Sequence, residues 1–280
     1  FYELDAGSLY RDDKIEELYA DCYTSIGACN LALDQLTRCV VTDSVLWRQI
    51  KGEALALRAF DHFMLVNYFA RPYYDKPETN PGIVLKTFYS LDEAPRVTVK
   101  TVYDTIISDL NRARELMTLT DEAPARFTSD GATALLCRVY LYMNKWNMVI
   151  EEANKLIGNY DLPSDPYGQF NEIDGDGEIF TLDFSYNAYG FYYPRGFVSG
   201  QLENSFRDGD YRLYYFEEDS EWVYDPDYGY VEVPNGKMKC TKIGTTYKAL
   251  RIAEVYLNRA EAYAELGEYD LARADLLEVA

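Results

Sequence analysis

The sequence predicts a mainly α fold in which paired helices form a scaffold and one large, irregular, loop-rich insertion interrupts it. Three observations carry that expectation. Apolar residues recur at helical steps through 11–159 and again through 246–280. Between them, 160–245 is rich in Gly and Asp and holds twelve of the 27 tyrosines. The chain of 280 residues is 48% hydrophobic, which suits one large domain with a sizeable core. We read 1–280 as a single domain truncated at both ends, since it opens at Phe1 and closes at Ala280 inside a helical pattern.

The elements follow in order. Asp12 to Arg38 reads as a helix, with Leu18, Cys22, Cys29, Leu33 and Leu36 near helical spacing. Ser44 to Ala70 reads as a longer one, its inner side marked by Leu57, Phe60, Met64 and Phe69 and its end by Arg71-Pro72. Tyr73 to Arg96 is a Pro-rich excursion with extended character. Thr98 to Met117 repeats Val102, Ile106, Asp109 and Leu110 at steps of three and four. Thr128 to Met143 and Trp146 to Ile157 read as a helical hairpin around Asn144-Lys145. Thr246 to Leu266 reads as the best-defined helix of all, with Leu250, Ala253, Leu257, Ala260 and Ala264 on one face; Gly267 ends it and Tyr269 opens a partner helix.

Two segments share a pattern. Leu136 to Trp146 and Ala260 to Ala272 each run through small or aliphatic residues, a tight turn and an aromatic that starts the next helix. This is a tetratricopeptide (TPR)-like signature, with Ala allowing close approach, Gly267 suited to a left-handed cap, and Trp146 or Tyr269 expected to fill the crevice of the turn. It predicts a helix-pair solenoid and is silent on the ligand.

Composition narrows the function classes. A net charge of −20 and a pI near 4.4 repel phosphate backbones and anionic lipid, so no nucleic-acid partner is expected. A single histidine against 27 tyrosines argues for binding rather than acid–base chemistry. His62, on the long apolar helix, reads as a packed core residue. No Ser/His/Asp or Cys/His motif and no Gly-rich phosphate loop occurs, so neither catalytic residues nor a cofactor are expected. Cys22, Cys29, Cys39, Cys137 and Cys240 form no C-x-x-C pair and read mostly as small buried hydrophobes.

Tyrosine offers a flat apolar ring with a hydroxyl at its tip, suited to the C–H faces of sugar rings. The candidate ligand contacts are Trp222 and Tyr192 first, with Tyr189, Tyr193 and Tyr224 beside them in the insertion, and Tyr73 and Tyr74 just past a helix end. Any one of these rings could instead pack the irregular half. Asp174, Asp176 and Glu178 alternate in a Gly-containing turn and make a weak Ca²⁺ candidate, but the register of an EF-hand loop is absent, and a solvated acidic turn is the expectation. With 47 Asp and Glu, a glycosidase-like carboxylate pair has no specificity as a signal.

The order of motifs is more specific than any one of them. Gly52-Glu-Ala, Arg58-Ala, Phe63, Leu65-Val66, Tyr68-Phe69 and Pro72 resemble the opening helix of the SusD/RagB family. Val102-Tyr103, Ile106-Ile107 and Asp109-Leu110 resemble its next helix, and Ala134-Leu135-Leu136 with Val139-Tyr140-Leu141-Tyr142 its third. Leu250-Arg251 to Tyr263 is similar to its "LR-x-AEVYLNRAEAY" segment, and Asp210-Tyr211-Arg212 to a shorter element. The resemblance implies a SusD-like fold whose insertion binds ligand. It implies a surface lipoprotein of the outer membrane of Bacteroidetes that captures oligosaccharide or polysaccharide for a SusC-like TonB-dependent porin. Membrane contact would run through an N-terminal lipid anchor, absent from this chain. Peptide uptake of the RagB kind, or a plain TPR-type protein–protein scaffold, are the alternatives.

Overall fold

The computed structural model describes residues 13–118, 126–163, 176–183, 199–206, 210, 216–240 and 246–279. Helix α1 (Asp13–Leu36) leads into α2 (Ser44–Phe69), where Asp43 accepts from the amides of Val45 and Leu46 at 2.9 and 3.0 Å. The extended cap Ala70, ahead of Arg71-Pro72, ends α2. A short ribbon of β1 (Pro81–Val84) and β2 (Arg96–Thr98) bridges the Pro-rich excursion. Thr98 then caps α3 (Val99–Leu116) through the Thr101 amide, and Thr128 caps α4 (Ser129–Tyr142) through the Gly131 amide. Helix α5 (Trp146–Leu156) completes the expected hairpin.

Each helix packs on its neighbour in the chain from α1 to α5. Helix α2 is central, burying Leu55, Ala56, Ala59, Phe60, Phe63, Leu65 and Val66 between α1 and α3. The core continues through Ile106, Leu110, Leu135, Leu136 and Val139, all essentially inaccessible.

After the insertion the chain returns as α7 (Ile252–Glu265) and α8 (Tyr269–Val279). Helix α7 packs on α5, and Arg259 ties three helices together: it holds Asp275 of α8 at two points (2.8 and 2.6 Å) and Asn154 of α5 at 2.6 Å. Gly267, with φ +83°, makes the turn. Tyr269, expected to fill the crevice of that turn, is largely exposed. The buried stripe of α8 runs through Ala272 and Asp275, and Tyr269 lies to its side.

The periodic segment from Thr246 is not helical throughout. Thr246–Arg251 is strand β6, paired antiparallel with β3 (Glu178–Asp183), and the helix starts at Ile252, whose amide donates to the Gly177 carbonyl at 2.9 Å. Leu250 is buried, but from a strand; of the expected helical face Leu257 and Ala264 are exposed, and α7 buries Ile252, Val255, Asn258, Ala260 and Ala262, so the helical spacing across the boundary was coincidental. The strand favours Thr, Tyr and Leu and has a partner waiting. Phe180 of β3 stacks on Phe127 with centroids 4.1 Å apart and meets Phe60 at 6.3 Å, which anchors this part of the insertion in the helical core. The described insertion also contains a helical turn, α6 (Gly200–Glu203), and a long hairpin, β4 (Phe216–Asp225) with β5 (Gly229–Cys240).

Candidate functional site

The hairpin carries the first candidate surface. Asp225 closes its turn by accepting from the amides of Asp227 (2.8 Å) and Tyr228 (3.1 Å), and Gly229 takes φ +78°, which favours glycine. The register pairs Trp222 with Glu232, Val223 with Val231 and Tyr224 with Tyr230. Strand alternation therefore puts Ser220, Trp222, Tyr224, Tyr230 and Glu232 on one face. Tyr224 and Tyr230 meet edge to face, centroids 5.5 Å apart. Trp222, Tyr224 and Tyr230 remain 66%, 63% and 71% exposed; on the other face Val231 and Val233 are half-buried and Val223 is exposed. Three solvent-open rings in a row are an unpacked apolar surface, which makes this face a candidate site. Glu232 is the carboxylate of that face, and Ser220 Oγ is bonded to its Oε1.

A second candidate is a concavity of about 800 Å³ where the end of α2 meets α4 and α7. Tyr68, Tyr74 and Tyr142 rim it, with Asn67, Arg138, Asn144 and Glu261 between them. Tyr73 also lines it, but its ring is held 4.8 Å from that of Tyr103, whose hydroxyl donates to Asn67 Oδ1 at 3.0 Å. Tyr73 is thus a supporting residue, and Tyr74, largely exposed, is the one presented to solvent. Sequence spacing missed Tyr68, Tyr142 and Arg138. They come together only when α2 and α4 pack; the exposed Tyr68 on an otherwise apolar helix end was the available signal.

Tyr189, Tyr192, Tyr193 and Asp174 lie outside the described residues. The weak calcium candidate does not hold together at Glu178. That carboxylate is buried, ion-paired with Lys248 and bonded by Thr181 Oγ1 at 2.7 Å, while Asp176 is exposed. A buried pair neutralised by lysine leaves no oxygen for a cation. Among the described residues no cluster of three metal-ligating side chains occurs. His62 is fully buried, with neither ring nitrogen bonded among the described residues, and burial lowers its pKa to about 3. It is a neutral core residue, as expected. Burial likewise raises the thiols of Cys22 and Cys29 to about 11, so they are inert; Cys39, by contrast, is exposed.

Known families match both ends of this architecture. A SusD-like model described as "Starch-binding associating with outer membrane" matches residues 4–141, and a model of the SusD family matches 227–279. Together they span more than half of the chain. The chain belongs to the SusD family. Within that family it is 27% identical, over 61% of its length, to SusD-like protein P2 of Formosa agariphila. Its fold is similar to that of a SusD-like carbohydrate binding protein from Bacteroides vulgatus, with TM-score 0.76, 24% identity, and 94% of this chain covered. It is also similar to a laminarin binding SusD-like protein, with TM-score 0.69, 20% identity and 94% covered. The chain spans about a third (34%) of the curated relative, and 61% and 69% of these two solved chains. In SusD-family terms, the first match holds α1 to α4 nearly complete, and the second begins at the tip of the β4–β5 hairpin and runs through α8. No helix among the described residues is long and apolar enough to cross a membrane.

Proposed function

We propose that this chain binds a neutral oligosaccharide or polysaccharide and, as part of the longer SusD-family protein, presents it at the outer-membrane surface to a SusC-like TonB-dependent porin. The observation that carries this reading is the open aromatic face of Trp222, Tyr224 and Tyr230, bordered by the polar Ser220 and Glu232. Sugar C–H faces lie on rings, and hydroxyls reach the flanking acceptors. The concavity at Tyr68, Tyr74 and Tyr142 offers the same combination of rings with polar side chains, Asn144 and Glu261. A net charge of −20 favours an uncharged polymer over a uronate-rich one.

The mechanism is capture without bond cleavage. Rings and polar groups hold the glycan, and no proton transfer or nucleophile is involved. Titration with neutral glucans and with alginate, followed by analysis of the glucan for shortened products, tests this. Binding of a glucan, intact afterwards and with alginate excluded, is the expected result. Shortened products would make the protein an enzyme, and preference for alginate would reverse the charge argument.

A further inference from the structure

A groove of about 710 Å³ separates α1 from the segment 84–94 that arches beside it. The floor comes from Ala20, Ile26 and Gly27 of α1. Gly27 is unusual there. It sits inside a helix, where glycine costs stability, yet a Cβ built on it meets nothing within 4 Å. Neither close packing nor a positive φ accounts for it; what it does is leave the floor open.

The facing segment is tied down at its start. Tyr23 donates to the Val84 carbonyl at 2.7 Å, Asn30 to that of Lys86 at 3.0 Å, and Arg58 to that of Thr87 at 2.7 Å. Arg96 anchors the far side through the Gly82 and Phe69 carbonyls. Between these ties stand Phe88, Tyr89 and Leu91, 69%, 51% and 92% exposed. A tied arch that exposes three large apolar side chains over an open floor is a built surface.

We propose that this groove is a second saccharide-contact site, with Gly27 as the floor and Phe88 and Tyr89 as the stacking wall. The proposal rests on the saccharide reading above. Rings interleave here with hydroxyls of Tyr19 and Ser90 and carboxylates of Asp92 and Glu93, the pattern that meets sugar faces and sugar hydroxyls together. Two carboxylates against one lysine, Lys86, whose ammonium is bonded to the Asp92 carbonyl, disfavour an acidic glycan. An extended peptide would add to a strand edge through main-chain bonds. The carbonyls of Val84, Lys86 and Thr87 are already taken by Tyr23, Asn30 and Arg58, so that mode has little to pair with. The volume falls in the ~300–1,000 Å³ range of small-ligand sites.

The test is Gly27→Trp, with Gly27→Ala as control, in affinity gels containing laminarin or amylopectin. Circular dichroism melts accompany the gels; Gly27→Ala is expected to fold, since the added Cβ meets nothing within 4 Å, and the melt reports whether Gly27→Trp does. Gly27→Trp should weaken retention on the polymer that the unmodified chain binds by about fivefold or more, which is roughly 1 kcal/mol. Gly27→Ala should stay within about twofold of the unmodified chain. If Gly27→Trp fails to fold, the double variant Phe88→Ala/Tyr89→Ala carries the same expectation. A folded variant retained like the unmodified chain overturns the groove and leaves the hairpin untouched. An unmodified chain that binds neither polymer contradicts the saccharide reading itself, and the groove with it.

Discussion

Arg58 and Asp109 lie 51 positions apart and meet as a buried two-point pair, Nε to Oδ2 at 2.9 Å and Nη2 to Oδ1 at 2.7 Å. The remaining nitrogen, Nη1, reaches Asn30 Oδ1 and the Thr87 carbonyl, both at 2.7 Å. One guanidinium thus joins α1, α2, α3 and the start of the 84–94 arch. Burial raises the Asp109 pKa, and the bonds from Arg58 oppose that shift.

Removing one partner should leave the other charge buried and unpaired. Asp109→Ala is expected to cost about 3–5 kcal/mol, and Arg58→Ala a similar amount. Urea unfolding measures it. A loss below about 1 kcal/mol would mean that the pair contributes little to the scaffold.

Much of the scaffold was legible in the sequence, and this pair shows why. Arg58 and Asp109 belong to the two quoted helix motifs, and the caps Asp43, Thr98 and Thr128 stand immediately before their apolar runs. Local chemistry marks such ends. The site was less legible. Asp225-Pro-Asp-Tyr-Gly229 between Tyr and Val alternations was a readable hairpin signal, and Trp222 and Tyr224 were picked out. The concavity was not readable, because Tyr68 and Tyr142 are joined only by packing of α2 and α4. Glu178 misled for the same reason: its partner Lys248 is far along the chain.

Two glycines inside helices should respond oppositely to alanine. At Gly52 a Cβ would lie 2.4 Å from Met117 Cγ and 3.1 Å from the Ala113 carbonyl, so Gly52→Ala must displace the buried Met117 side chain or shift α2 against α3 and should destabilise by about 1–3 kcal/mol. Gly27→Ala meets open space and should stabilise by about 0.5–1 kcal/mol. Paired thermal melts decide it; a shift of the same sign in both would refute the packing argument.

Adjacent residues Asp61 and His62 should give opposing pH dependences. Burial raises Asp61 from 3.8 to about 6, only partly offset by a bond from Ser25. Above pH 6 the folded state bears the cost of its charge; as pH falls from 6 toward 3.8 the native carboxyl protonates and stability is gained. His62, lowered from 6.5 to about 3, is neutral in both states above 6.5; below that the unfolded imidazole binds a proton that the native one refuses, and stability is lost. Asp61→Asn should therefore be about 2–3 kcal/mol more stable than the unmodified chain at pH 7, an advantage that shrinks toward zero near pH 4. Urea unfolding at pH 7, 5 and 4 checks it, and an advantage independent of pH would contradict the assignment.

The central claim is that open rings on the β4–β5 hairpin hold a neutral glycan. Trp222→Ala/Tyr224→Ala/Tyr230→Ala removes them from an exposed face, so folding should persist in circular dichroism. Its dissociation constant for a glucan that the unmodified chain binds is the most direct measurement. The account predicts a rise of about tenfold or more, roughly 1.4 kcal/mol. An unchanged constant in the folded variant would contradict it.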